Sequence, residues 1–384
     1  MRLAIVGPLH PLRGGIALHG AEMAIAARAA GHEVRVLSYA RLYPSVVFPG
    51  RTQLDPDPEP PALRSLERAA LLDSCGPLTW PRSAEWLASW RPDVVLLQRW
   101  HPFFSPALAT VARVLRRRGV RVVWMVHNAL PHEGHPLAWR PLAKLGYAPT
   151  DVCLTHAGSE LRALEKLGVR ARLRHVPHPA PAAMTVSRVS TQDARRSLGL
   201  ADDEVLFLFT GYVREYKGVD VLLDALARLG PTGPPWRAIV AGEWYVDRTA
   251  ADRAIAAPPL AGRVRIDDRY LPVADVARYL AAATVVVLPY RSGTQSGVVP
   301  LAYAHGRAVV TTRVGGLEEA VREGETGLLV PPADPAALAA ALERVRHGLH
   351  FSEEAIADMH ERCSWSGFVR VLEEVAPESA VSRR

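Results

Sequence analysis

The sequence predicts an α/β protein of two Rossmann-like, doubly wound domains facing a cleft, each a parallel sheet covered by helices on both faces. Three observations carry that expectation. Short apolar, β-branched runs recur along the chain with amphipathic stretches between them. The alternation breaks once, in a proline-bearing segment near the middle, and then restarts. The 384 residues exceed one ordinary core and suffice for two.

In the first half, strands are read at 2–7 (RLAIVG), 33–38 (EVRVLS), 93–98 (DVVLLQ), 120–126 (VRVVWMV) and 151–155 (DVCLT), with a further apolar run near 173–177. Helices fall between them. One spans 19–30 and is closed by Gly31; another spans 106–118, with Ser105 as cap, Pro106 in its first turn and Gly119 as its stop. Strands that are apolar throughout, rather than alternating, indicate a sheet buried on both faces. The insertion at 40–80 is Pro-rich and reads as an irregular functional loop. Residues 178–195 carry breakers and no period, and read as a linker. The second half repeats the scheme. Its strands are at 204–210, 237–241, 263–267, 284–288 and 307–311, and its helices at 218–229, 274–282, 297–305 and 335–346; a last helical stretch covers about 352–375. The expected division is 1–180, a linker over 181–198, 199–350, and a C-terminal helical region over 351–384.

Composition bounds the function classes. Hydrophobic residues make up 49% and charged residues 22%, ordinary for a soluble globular chain. Cys75, Cys153 and Cys363 lie far apart and form no disulfide or zinc pattern, so a reducing cytoplasm is the expected setting. The N-terminal apolar run, broken by Gly7 and Pro8, is too short for a signal peptide, and no run approaches a membrane span. Residues 1–185 carry a formal charge of +10 and the rest −3. A basic first half suits an anionic lipid surface, a phosphorylated substrate or nucleic acid; a solvated basic face is the plainer reading.

Loops directly after strands hold the candidate site residues. Gly14 and Gly15 precede a helix whose N-terminus would favour an anion, without the G-x-G-x-x-G spacing of a nicotinamide site. After strand 204–210 come Gly211, Arg214, Lys217 and Gly218. Lys217 is one of three lysines beside 43 arginines, placed where a helix dipole disfavours it unless an anion lies between. After strand 284–288, Thr294, Gln295 and Ser296 offer side-chain hydrogen bonds, and the amides of Ser296, Gly297 and Val298 open a helix; ordinary capping by Ser296 is the alternative. His127 follows strand 120–126. With His132 and His135 a metal site is conceivable, but the H-E-x-x-H spacing is absent and no metal is expected. Asp55 and Asp57, in "DPDP", read as a solvated loop. No Walker loop, nucleophile elbow or aromatic-basic nucleic-acid platform occurs, so no nucleic acid is expected.

The stretches "GYVREYKGVDVLLDALA", "VVVLPYRSGTQSGVVPLAYAHGRAVVTTRVGGLEEAV" and "GETGLLVPPADPAALAAAL", over about 204–347, resemble the donor-binding half of the retaining glycosyltransferases of family 4. "GPLHPLRGGIA", "YPSVVFPGRTQ", "LQRWHPFFSPAL" and "VHNALPHE" resemble the acceptor half of a bacterial subgroup of that family. The resemblance implies the GT-B fold, with the last helix crossing back to the first domain, a nucleoside diphosphate sugar as donor, and no cofactor or metal. By position, Lys217 matches the diphosphate-binding lysine and Arg214 its cationic partner, although Tyr212 stands where the family more often has that arginine. Gly14 and Gly15 match the glycine loop near the donor phosphates, and His127 the histidine near the transferred sugar. The family's usual glutamate pair falls on Gly293 and Leu301, so both carboxylates are missing; "TQSGV" reads as the subgroup's replacement loop, with Glu319 or backbone groups left to hold the ribose.

Retaining transfer of a hexose to a hydroxyl is therefore expected, with a lipid-linked or otherwise anionic acceptor and peripheral contact at the inner membrane face. The alternatives are a non-catalytic nucleotide-sugar-binding protein, favoured by the missing glutamates, and a sugar-nucleotide epimerase on the same fold.

Overall fold

Consecutive β-branched and leucine residues give the first sheet its strands: β1 (Arg2–Val6), β2 (Glu33–Arg41), β3 (Glu67–Asp73), β4 (Val94–Arg99), β5 (Arg121–Val126), β6 (Val152–Thr155) and β7 (Arg172–His175). In this computed structural model, which describes residues 1–44, 52–131, 136–181 and 189–377, they lie in the order β3-β2-β1-β4-β5-β6-β7. Every pair is parallel. Alternate side chains of one strand enter opposite cores. Ala4, Val6, Leu97 and Trp124 pack with Leu108 and Ala112, while Leu3, Ile5, Leu96 and Met125 pack with Met23, Ala24 and Phe368. The covering helices are α1 (Gly15–Ala29), the short α2 (Pro61–Arg64), α3 (Thr79–Ala88), α4 (Ser105–Arg117), α5 (Arg140–Tyr147) and α6 (Gly158–Lys166).

The second sheet contains β8 (Val205–Thr210), β9 (Trp236–Ala241), β10 (Val264–Asp267), β11 (Val285–Leu288), β12 (Ala308–Thr312) and β13 (Gly327–Val330), ordered β10-β9-β8-β11-β12-β13 and again all parallel. Its helices are α7 (Thr191–Ser197), α8 (Val219–Ala227), α9 (Thr249–Ala256), α10 (Val273–Ala282), α11 (Val298–Ala304), α12 (Gly315–Ala320), α13 (Pro335–Arg346) and α14 (Glu353–Arg362). The chain divides into two compact units, Met1–Pro179 with Ser364–Arg384, and Ala180–Cys363.

Four expectations are corrected. The insertion at 40–80 is not irregular throughout: β3 runs along β2 from Glu67, and α3 opens at Thr79. Ser105 does not cap α4. It lies inside the first turn with its hydroxyl buried and without a partner, because a 3₁₀ turn, Pro102–Phe104, leads into the helix and His101 Nδ1 caps that turn by accepting from Phe103 N at 3.1 Å. The linker reading over 178–195 misses α7, whose cap Ser190 accepts from Asp193 N at 3.0 Å and whose Arg195 guanidinium is buried donating to the carbonyls of Ala282, Ala201 and Glu204. The final helical stretch breaks at Cys363. Ser364 then caps α15 (Trp365–Val375), accepting from Gly367 N at 3.2 Å. In α15, Phe368, Val369, Leu372 and Val375 are buried with Met23 and Ala24 of α1 in the first unit's core, while Ile356 of α14 is buried in the second.

Candidate functional site

In a doubly wound sheet, loops diverge where the strand order reverses, and ligands bind there at the C-terminal strand ends. In the second unit that point lies between β8 and β11, which carry the two loops singled out from the sequence. After β8, Gly211 turns the chain at φ 116°, and a 3₁₀ turn, Glu215–Lys217, precedes α8. Lys217 thus sits two residues before α8 rather than in its first turn. Gly218, at φ 66°, brings this loop against the next: a Cβ there would lie 2.1 Å from the Pro289 carbonyl oxygen. Arg291 N donates to Tyr216 O at 2.7 Å, and the Arg291 guanidinium donates to Asp220 at 2.6 Å, closing the same junction.

Lys217 is half-buried, its Nζ 5.3 Å from the Tyr290 ring centroid. A Cβ placed on Gly211 would lie 3.2 Å from that Nζ. Among the described residues no carboxylate stands within ion-pair distance of it. Burial lowers its pKa from the ordinary lysine value; Tyr216 works the other way, and nearby Arg214 lowers it further. The Arg214 guanidinium stacks over Tyr245, 4.7 Å from the ring centroid. Two cations therefore share one loop, and the more enclosed of them has no counter-charge. An anion is the partner that such a cation would accept.

The loop after β11 is held from beneath. Thr312 Oγ1 donates to Tyr290 O at 2.6 Å, Gly316 N donates to Thr294 O at 2.8 Å, and the Tyr290 hydroxyl lies 3.3 Å from Ser296 Oγ. Ser296 Oγ accepts from Val298 N at 3.3 Å, so that amide is already engaged and α11 is capped locally. Gly297 is the residue before α11 and Gln295 is half-buried beside it. Of the two positions where a carboxylate is expected by resemblance, Leu301 is a core residue of α11 and Gly293 faces Gly315, whose Cβ would fall 1.9 Å from Gly293 O.

In the first unit, Gly14 precedes α1 at φ 109°, a conformation that favours glycine. Gly15 differs: its φ is ordinary and a Cβ would meet nothing within 4 Å, so packing does not demand glycine there. His127 follows β5 and is buried, its backbone N donating to Arg99 O at 2.8 Å. Sequence reading missed its neighbours. His19, His156 and His178 surround it in a cluster with ring centroids 4.4 to 6.0 Å apart, covered by Trp365 and Phe368 of α15. Arg99, wholly buried, donates to Asn128 O at 3.0 Å and Ala129 O at 3.1 Å, and Glu160 accepts from Ala129 N, so both hold the loop that begins with His127. Arg99 ends the apolar run of β4 and Glu160 lies in the first turn of α6, and neither was singled out from the sequence. Burial pushes the Glu160 carboxyl up to about 7.

Burial, reinforced by the neighbouring histidines, holds His19, His127 and His156 well below 6.5, and burial takes His178 down to about 4. A folded-state pKa below the unfolded one means that this stability is complete above about pH 6.5 and is lost as pH falls toward 4, at about 1.4 kcal/mol per unit for each histidine. Acid titration followed by tryptophan fluorescence should therefore show the first unit unfolding within that window, and His178→Phe should move the midpoint to lower pH.

Among the described residues no group of three or more His, Cys, Asp and Glu is placed to hold a metal, and no helix is long and apolar enough to cross a membrane. His132, Glu133 and His135 lie outside the described residues. Asp55 Oδ1 accepts from Asp57 N at 3.0 Å, a local turn.

Residues 13–182 match the family model "Glycosyltransferase Family 4" and residues 204–347 the model "Glycosyl transferases group 1". The chain is 32% identical over 265 residues to the D-inositol 3-phosphate glycosyltransferase of Acidothermus cellulolyticus, covering 61% of this chain and 56% of that one. It is 37% identical over 169 residues to that of Thermobifida fusca, covering 41% and 38%. It thus spans well under two thirds of these relatives. Among solved structures, the sucrose-phosphate synthase of Thermosynechococcus elongatus superposes with a TM-score of 0.74 at 20% identity over 98% of both chains. Anabaena HepE in complex with UDP gives 0.74 at 18% identity over 97% and 99%. The two family models between them account for both domains, each of which is similar to a glycosyltransferase domain, and the chain has the two-domain α/β architecture GT-B.

Proposed function

We propose that the protein transfers a sugar, a hexose by the resemblance, from a nucleoside diphosphate sugar to a hydroxyl acceptor with retention of configuration. The observation that carries this is the Lys217 ammonium, half-buried without a carboxylate partner at the point where the second sheet's strand order reverses. A diphosphate would supply the absent charge. As the glycosidic bond breaks, negative charge builds on the leaving oxygen, and Lys217 with Arg214 offsets it, so that side-chain cations rather than a metal meet the charge. Gly293 and Leu301 stand where carboxylates are usual, and the step is written without a covalent intermediate. The acceptor hydroxyl attacks on the face the diphosphate leaves, and its proton passes to a phosphate oxygen. Thr294, Gln295 and Ser296 of the "TQSGV" loop, with the amide of Gly297, would bind donor hydroxyls or phosphate, the Val298 amide being taken by Ser296; in the first unit, Gly14 and Gly15 would serve the phosphates and His127 the transferred sugar. Support for such a donor comes from HepE, whose structures contain UDP and UDP-glucose.

A thermal-shift screen of UDP-, GDP-, ADP- and TDP-sugars should single out one donor, because ligand binding stabilises by mass action. Product analysis with that donor then decides between transfer and the second reading, a nucleotide-sugar-binding protein without turnover, which the loss of both carboxylates favours. The +10 charge of residues 1–185 supports an anionic, lipid-linked acceptor and peripheral contact with an anionic cytoplasmic leaflet. Co-sedimentation with anionic vesicles, abolished by high salt, is the corresponding test; indifference to lipid charge would refute it.

A further inference from the structure

We infer that Tyr245 is a positioning residue: its ring carries the Arg214 guanidinium by the face and leaves the in-plane N–H groups to donate to the diphosphate beside Lys217. The inference rests on the reading that gives Lys217 and Arg214 a diphosphate to bind.

The backbone sets the two side chains against each other. Beyond β8 the chain stays extended: Arg214 lies at φ −129° and ψ 159°, and Val213 forms an isolated parallel bridge with Trp244. Val213 N donates to Glu243 O at 2.9 Å and Tyr245 N donates to Val213 O at 2.9 Å, so the register is fixed from both sides. One residue further on, that register sets Arg214 opposite Tyr245, and paired residues project from the same face of a ladder. Alternation puts Tyr212 on that face too, while Val213 turns the other way and is buried. The rings agree with this. Tyr245 packs against Tyr212 with centroids 5.3 Å apart, and it lies under the Arg214 guanidinium, whose carbon is 4.7 Å from its centroid. Tyr270, from the loop after β10, lies against Tyr212 at 6.2 Å. Asp268, after the same strand, accepts from Trp244 N at 3.0 Å and so anchors the residue before Tyr245. The Tyr245 ring is therefore held between the loops that follow β8 and β10.

Charge explains what such a support does. Arg214 stands close enough to Lys217 to help lower its pKa, so the two cations repel each other. A freely solvated arginine would swing away from the lysine. A ring face, negative at its centre, keeps the guanidinium in the loop instead. Face-on stacking takes up no donor, because all five N–H groups lie in the plane of the guanidinium. The ordering of Arg214 is then complete before an anion arrives, and binding does not bear its cost.

The test is a double-mutant cycle on the full chain, with inorganic pyrophosphate as the probe and its Kd read by calorimetry. Nitrogen-edited NMR of the unliganded protein accompanies it, with the Arg214 Nε–H signal assigned by its loss in Arg214→Ala. That signal should be displaced by the ring in the wild type, kept displaced in Tyr245→Phe and returned to the ordinary arginine position in Tyr245→Leu. Tyr245→Phe should hold the pyrophosphate Kd within about twofold, and Tyr245→Leu should raise it about fivefold, the scale of one half-buried cation–π contact. In the Arg214→Ala background, Tyr245→Leu should change nothing further. Equal losses with and without Arg214, a Phe variant as weak as the Leu variant, or a wild-type Arg214 signal untouched by a ring would each overturn the inference; the wild-type spectrum decides even where a variant does not fold. Because the cycle needs no sugar, coupling in a protein that transfers none would refute the proposed function and leave this inference standing, and transfer without coupling would do the reverse.

Discussion

Lys217→Ala is expected to lower sugar transfer by about 10²–10³-fold, the loss typical of removing one preorganised group from a site where charge develops. The same position should respond oppositely in stability. Lys217 is half-buried with no ion-pair partner, and contact with the Tyr290 ring offsets only part of the water its ammonium has given up. Lys217→Met keeps the aliphatic stem and removes the charge, so the unliganded variant should melt higher, by about 1 kcal/mol in stability, while losing the shift produced by the nucleotide. The pH dependence has a definite sign. Burial places the folded pKa below 10.5, so donor binding that needs the ammonium is present below that folded pKa and is lost as pH rises through it, earlier than for an exposed lysine. Over the same window the folded protein itself gains stability, because the cost of the buried charge disappears. Donor affinity measured by calorimetry from pH 7 to 10 checks both statements; a pH-independent affinity, unaltered by Lys217→Ala, would refute them.

Gly218→Ala should be among the most damaging single-methyl changes in the second domain. The residue lies at φ 66°, and the added Cβ would sit 2.1 Å from the Pro289 carbonyl oxygen, a backbone atom that cannot swing aside. Left-handed strain alone costs about 1 kcal/mol or more, and the clash adds backbone displacement, so a loss of about 3 kcal/mol is expected in chemical denaturation. It would also part the loops after β8 and β11 and so displace Lys217 from Tyr290. Gly15→Ala is the counterpart: open space around its Cβ predicts unchanged stability, so any loss of donor affinity there reports on the ligand rather than the fold.

Most of the scaffold was legible because its central strands are apolar at every position, as strands buried on both faces must be. The missed strands are edges. β3 reads ERAALLD with Leu71 exposed and pairs on one side only, and β13 is four residues beginning with Gly327, whose missing side chain lets it lie against Val309 O. In the second domain the cationic loop was legible because Lys217 departs from a composition that otherwise uses arginine. Tyr245, on which Arg214 stacks, comes from the loop after β9 and gave no signal. The histidine cluster was hidden for another reason: His19 and His156 meet across 137 positions, and no spacing in one chain announces a contact between a helix and a strand end.

The structure of the protein with its donor nucleotide bound tests the central claim most directly. The account predicts the Lys217 Nζ within about 2.7–3.2 Å of a diphosphate oxygen, with Arg214 turned toward the same group. A bound nucleotide whose diphosphate lies elsewhere, with the Lys217 ammonium still resting on Tyr290 and no anion beside it, would contradict the account.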